Sequence, residues 1–194
     1  MTFTILTVCT GNICRSPVAE SLLRRGLSGF PDITVASAGT GALVGAGIPE
    51  PALRLLSADG LDGEGHRSRQ LTAALVRDAD LVLAMAREHR RAVVELVPAA
   101  TRRTFTVREL ARVAEFLGEE PGPPIPAEDP SARMRAAVLH AAGARGMVPQ
   151  PDDPREWDVI DPYRQSDEVF RRSFDQLTPA VASVIAFLSR SAQK

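Results

Sequence analysis

The feature that most constrains this chain is the segment Val8-Cys9-Thr10-Gly11-Asn12-Ile13-Cys14-Arg15-Ser16-Pro17. It follows an apolar run, Phe3 to Val8, and precedes an amphipathic segment, Val18 to Leu27, so it is predicted to be a strand-to-helix turn. Such a turn directs several backbone N–H groups at one spot, and a helix N-terminus adds partial positive charge there; together they make an anion site. Ser16 suits the N-cap of that helix and Pro17 its first position.

Onto this cradle the sequence places a thiol, Cys9, and a guanidinium, Arg15. A thiolate is the nucleophilic form of cysteine, and a helix N-terminus beside arginine lowers its pKa from about 8.5 into the range of roughly 3.5 to 7.5. With five residues between them, the loop can curl so that Arg15 reaches back over Cys9 and offers its planar fork to two oxygens of a tetrahedral anion. A phosphoryl group is the implied guest. Gly11 permits a positive φ or a close backbone approach, and Asn12 tolerates the left-handed region while its side chain can tie the loop down.

The string CTGNICRSP, with its Cys-x5-Arg-Ser core near the N-terminus, closely resembles the low-molecular-weight protein tyrosine phosphatases. A bare Cys-x5-Arg arises by chance; the full string after a strand and before a helix does not. The resemblance covers about residues 3–117 and 156–190 and implies one phosphatase domain over residues 1–194, with an insertion at about 118–155.

Composition narrows the setting. The chain has 194 residues, 44% of them hydrophobic, which is the size and content of one domain with a sizeable core. A formal net charge of −1 argues against nucleic acid or an anionic membrane as the main partner. Two cysteines make no disulfide framework, no signal-peptide pattern opens the sequence, and no apolar stretch approaches the roughly 20 residues that span a bilayer. A reducing cytoplasm, which suits a reactive thiol, is the expected location.

In chain order, strands are predicted at Phe3–Val8, Ile33–Ser37, Asp80–Met85 and Arg103–Val107, separated by helices at Val18–Leu27, Pro49–Ala58, Thr72–Arg77, from after Met85 through Leu96, and from Arg108 to near Gly118. Strands joined by helical crossovers imply an α/β fold: a four-stranded parallel sheet with helices on both faces. By resemblance this is the three-layer, flavodoxin-like, phosphotyrosine phosphatase I-like arrangement. Ligands in such sheets sit at the carboxyl ends of strands, where Cys9 lies. Between residues 118 and 155 fall eight of the chain's fifteen prolines, bracketing an Ala-rich segment from Ser131 to Ala142. This reads as a mobile surface insertion carrying one short helix, with a lid over the site as the alternative.

The insertion ends just before Asp161-Pro162-Tyr163. Asp-Pro by itself is a common turn dipeptide. Its place after the sheet and before a last amphipathic helix, in a chain that also holds CTGNICRSP, matches the family. By that resemblance Asp161 is the general acid, opposite the thiolate, and Tyr163 an aromatic wall for the substrate ring. Asp158 and Asp167 read as surface charges or a helix cap.

The resemblance implies a two-step hydrolysis without metal or cofactor. Cys9 attacks phosphorus while Asp161 protonates the leaving oxygen; Asp161 then activates a water that hydrolyses the phosphocysteine. The amides of residues 10 to 15 (Thr10, Gly11, Asn12, Ile13, Cys14, Arg15) and the fork of Arg15 hold the oxygens, and Ser16 donates to the thiolate. Ser37 matches a serine that fixes Asn12, and His66 and Arg69 match a loop that buttresses the phosphate site. Ala86 replaces a residue that is polar in many relatives, and Arg164 a second aromatic residue of some.

Phosphotyrosine-bearing proteins are the expected substrates, because Ile13 stands where relatives acting on phosphoarginine tend to have threonine. A phosphoarginine phosphatase, a catalytically poor phosphotyrosine-binding module and a redox sensor built on Cys9 and Cys14 are the alternatives. A relay of three thiols, as arsenate reductases resembling this chain use, cannot run on two cysteines.

Overall fold

The computed structural model describes residues 2–118 and 129–193. Strands β1 (Phe3–Cys9), β2 (Ile33–Gly39), β3 (Leu81–Ala84) and β4 (Thr104–Thr106) form one parallel sheet in the spatial order β2-β1-β3-β4. The helices are α1 (Arg15–Gly26), α2 (Glu50–Ala58), α3 (Ala73–Asp78), α4 (Arg87–Leu96), α5 (Val107–Leu117), α6 (Pro130–Ala144) and α7 (Asp167–Gln193). The chain steps from β1 out to β2 and then returns past β1 to β3, so its winding reverses between β1 and β3. In a doubly wound sheet that reversal opens a crevice at the carboxyl ends of the strands, and Cys9 closes β1 there.

Alternation along the strands divides the core. Phe3 and Ile5 of β1 and Leu81 and Leu83 of β3 join the cluster that includes α1, α5, α6 and α7. Leu6, Val8 and Val82 point the other way, into a smaller cluster with Val76 of α3 and Val93 of α4. Both faces are covered, which is why these strands read as continuous apolar runs rather than alternating ones. Each such side chain, fully buried, contributes roughly 1.5–3 kcal/mol.

Strands β1 and β2 run past their expected ends, to Cys9 and Gly39, whereas β3 and β4 are shorter than expected, for physical reasons. Asp80 precedes β3 and uses its carboxylate to accept the N–H of Thr4, 2.9 Å away. Thr106 ends β4 by capping α5: its hydroxyl accepts the N–H of Glu109 while the Glu109 carboxylate accepts the N–H of Thr106, both at 3.1 Å. Helix α5 accordingly opens at Val107, one residue earlier than predicted.

Ser16 is not an N-cap, and Pro17 is not the first helical residue. Helix α1 begins at Arg15 with Cys14 at the cap position, so Ser16 lies in the first turn and its hydroxyl is free for the site. Pro17 is tolerated there because the first four amides of a helix have no intrahelical acceptor.

The expectation of a mobile surface insertion also fails. Prolines 121, 123, 124 and 126 lie outside the described residues, but α6 is a fifteen-residue helix whose Met134, Val138 and Ala141 are buried in the main core. Asp129 caps it, accepting the N–H of Ser131 at 3.0 Å. Arg135 ties it to Asp80 at 2.8 Å and to the carbonyl of Thr2, both at the amino ends of the strands. That anchor lies at the opposite end of the sheet from Cys9 and removes the lid reading for α6. Its small residues allow close approach to α5 and α7. Met134→Ala should therefore cost about 2–5 kcal/mol of stability, while Leu139→Ala, on the exposed face, should change it by about 0.5 kcal/mol or less; urea denaturation of the two variants measures the difference.

Candidate active site

The loop from Cys9 to Arg15 is shaped from outside. The carbonyls of Cys9, Thr10 and Gly11 accept hydrogen bonds from the amides of Thr40, Gly41 and Leu43 at 2.9, 3.0 and 3.1 Å. The carbonyl of Asn12 lies 2.6 Å from Nε2 of His66. In a trans peptide the C=O and the following N–H point in opposite directions. Four outward carbonyls therefore turn the amides of Thr10, Gly11, Asn12 and Ile13 inward, toward the start of α1. Gly39 makes this approach possible, since a Cβ there would stand 2.3 Å from the carbonyl oxygen of Thr10.

The left-handed residue is Asn12, at φ +55°, not Gly11. Its side-chain amide is oriented by its partners: the N–H of Arg69 donates to Oδ1 at 2.8 Å, leaving Nδ2 to donate to Ser37 at 2.8 Å and to Ser16 at 3.0 Å. Arg69 also donates from Nε to the carbonyl of Ser37, at 2.8 Å. Ser37, His66 and Arg69, brought forward by resemblance, thus all meet around Asn12. Ser16 Oγ, which accepts from Asn12, also lies 2.9 Å from Cys9 Sγ, and it is the donor of that pair whenever the sulfur is a thiolate.

Arg15 is buried, with 4% of its side chain exposed. Nη1 donates to the carbonyl of Val159 at 3.0 Å, and Nη2 pairs with Asp161 Oδ2 at 2.9 Å. A buried guanidinium needs such partners, since an unpaired charge there is strongly destabilising. The Asp161 side chain is half exposed, and its Oδ1 accepts the N–H of Tyr163 at 3.1 Å, an Asx turn that stiffens Asp161-Pro162-Tyr163. A cavity of about 120 Å³ opens between these groups, with Cys9 and Arg15 at its base and Asp161 and Tyr163 at its mouth. Thr10, Gly11, Ile13 and Cys14 also line it. The guanidinium of Arg164, itself at φ +58°, lies 5.0 Å from the centre of the Tyr163 ring.

Two residues at the site, one lining the cavity and one behind it, escaped the sequence reading. Leu43 faces Tyr163 across the mouth as a second apolar wall; its only signal was an exposed large apolar residue in a Gly-rich loop. His89, on α4, is buried beneath Thr10, with Nε2 2.9 Å from Thr10 Oγ1, while Nδ1 has no partner among the described residues. Leaving a lone pair unpaired costs less than leaving an N–H unpaired, so the proton belongs on Nε2, which donates to Thr10. Other sequence candidates act elsewhere: Asp167 pairs with Arg54 at 2.6 Å, and Asp158 receives the backbone N–H of Arg87 at the start of α4.

Burial, followed by the neighbouring charges of Cys9 and Asp161, pushes the Cys14 thiol up to about 12, so it stays protonated at neutral pH. Burial, then the positive charge of Arg15, pushes His89 from 6.5 down to about 4. Between those values the unfolded chain takes up a proton that the folded chain refuses. Stability is therefore full above pH 6.5 and falls as pH drops toward 4, by up to about 3 kcal/mol. His89→Gln should flatten this slope, read from urea denaturation midpoints at about pH 7 and about pH 4.5; an unchanged slope would contradict the assignment.

Among the described residues no helix is long and apolar enough to cross a membrane. The family model described as "Low molecular weight phosphotyrosine protein phosphatase" matches residues 4–121, more than half of the chain. That match stops short of Asp161-Pro162-Tyr163. The low molecular weight protein-tyrosine-phosphatase Wzb of Salmonella typhi is 49% identical over 94 residues, 48% of this chain and 61% of that relative. The chain thus spans about three fifths of that relative's length. Among solved structures, Wzb from Escherichia coli K30 in complex with sulphate aligns with a TM-score of 0.66 at 31% identity, over 96% of this chain and 98% of that one. The YwlE arginine phosphatase of Geobacillus stearothermophilus aligns with a TM-score of 0.67 at 28% identity, over 96% and 93%. The chain belongs to the low molecular weight phosphotyrosine protein phosphatase family.

Proposed function

We propose that residues 1–194 form one phosphatase domain that hydrolyses phosphotyrosine on protein substrates through a phosphocysteine on Cys9, with Asp161 as general acid and then general base. The observation that carries the reading is the convergence, around one small cavity, of a thiol with a hydroxyl at 2.9 Å and a buried guanidinium with a carboxylate at 2.9 Å. The substrate's phosphoryl oxygens take the inward amides of the loop and the fork of Arg15, which fixes them at the moment charge develops. Cys9 Sγ attacks phosphorus, the P–O bond to the ring breaks, and Asp161 delivers its proton to the departing phenolate oxygen. Asp161, now ionised, takes a proton from water as that water attacks phosphorus. The S–P bond breaks, inorganic phosphate leaves, and the thiolate returns to the hydrogen bond of Ser16.

Tyr163 and Leu43 form an apolar slot at the mouth, and Ile13 fills the space beside the phosphate. A flat ring fits between such walls better than a charged guanidinium does. The likeness to an arginine phosphatase keeps phosphoarginine as the second reading. A cytoplasmic setting suits the reduced thiols, since both cysteines are free.

The test is hydrolysis of p-nitrophenyl phosphate, a phosphotyrosine peptide and a phosphoarginine peptide. Wild type should turn over the first two, with a higher kcat/KM on phosphotyrosine than on phosphoarginine. Cys9→Ser should abolish turnover, and Asp161→Ala should lower kcat/KM for the peptide about 10²–10⁴-fold. Turnover retained by Cys9→Ser would remove the mechanism, and a preference for phosphoarginine would select the second reading.

A further inference from the structure

The residues before Asp161 are held by an unusual division of labour. Helix α4 opens after Ala86, which has no side-chain oxygen to cap it. The missing acceptor comes from a distant segment. Asp158 Oδ1 accepts the backbone N–H of Arg87 at 2.8 Å, while its two oxygens grip the Arg87 guanidinium, at 2.9 Å from Nη2 and 3.2 Å from Nε. An acidic side chain at a helix N-terminus is also favoured by the helix dipole.

From that point the backbone is fixed at each step. The carbonyl of Asp158 accepts from Nη1 of Arg108 on α5 at 2.9 Å. The N–H of Val159 donates to the carbonyl of Met85 at 2.8 Å, and its carbonyl accepts from Arg15 at 3.0 Å. The N–H of Ile160 donates to Gln176 of α7 at 2.9 Å. One residue further on is Asp161. Its carboxyl is half exposed and, among the described residues, has Arg15 and its own turn to aim it, so its direction is inherited from the backbone before it.

We propose that Asp158 is a positioning residue for Asp161: by capping α4 in place of Ala86 and gripping Arg87, it locks the 158–160 segment that aims the acid at the leaving oxygen. Arg108 is its helper, holding the same residue from α5. The inference rests on Asp161 being the general acid.

That dependence gives a readout that simple destabilisation lacks. Protonation of the leaving oxygen matters most when the leaving phenol is a poor one, and kcat/KM reports the step in which that bond breaks. Compare phenyl phosphate with p-nitrophenyl phosphate in wild type, Asp158→Ala, Asp158→Asn, Arg108→Ala and Asp161→Ala. Asp158→Ala should lose kcat/KM roughly tenfold or more on phenyl phosphate and about threefold or less on p-nitrophenyl phosphate. Asp158→Asn keeps an oxygen for the Arg87 amide and should recover most of the loss. Arg108→Ala should show the same selectivity as Asp158→Ala and serves as the second variant if that protein does not fold. An equal loss on both esters, or no loss, overturns the proposal while Asp161→Ala stays selective. If Asp161→Ala itself is not selective, the assignment of the acid fails instead.

Discussion

The site depends first on the side chain of Asn12. Holding a residue with a Cβ at φ +55° costs roughly 1–2 kcal/mol in general, least for Asn. Three side-chain hydrogen bonds, to Arg69, Ser37 and Ser16, each worth about 0.5–1.5 kcal/mol net, offset that cost. Because both ends of the amide are committed, the side chain holds the loop in the conformation in which the carbonyls face out and the amides face in. The same side chain donates to the Ser16 hydroxyl, which lies beside the Cys9 sulfur. A change at Asn12 would reach the thiol without touching it.

The second constraint is the buried charge of Arg15. It cannot remain unpaired, and the groups that pair it, the carbonyl of Val159 and the carboxylate of Asp161, come from a segment about 145 residues downstream. One guanidinium therefore assembles both halves of the site. The doubly wound sheet makes the meeting possible, since β1 and the turn after β3 deliver Cys9 and the α4 start to one crevice.

Much of this was legible in the sequence because it is written in local, strongly typed signals. Phe3 to Val8 followed by CTGNICRSP can hardly be anything but a strand, an anion loop and a helix, and the family resemblance added Asp161, Ser37, His66 and Arg69. What was missed is tertiary in origin. The N-cap reading of Ser16 failed because N-caps are the common use of serine at a helix start, whereas its place beside the Cys9 sulfur, expected from the resemblance, is where the packing of Asn12 leaves it. Helix α6 looked like a surface excursion because its flanking prolines outweighed the buried spacing of Met134, Val138 and Ala141. His89 and Leu43 carry no motif at all, and it is the fold that sets one beneath Thr10 and the other across from Tyr163.

The central claim is that phosphorus passes through the sulfur of Cys9. Rapid quenching of the Asp161→Ala variant during turnover of an aryl phosphate, followed by digestion and fragmentation mass spectrometry of the peptide that carries both cysteines, measures this directly. The account predicts a phosphoryl group on Cys9 and none on Cys14. Phosphate found on another residue, or steady turnover with Cys9 never phosphorylated, would contradict it.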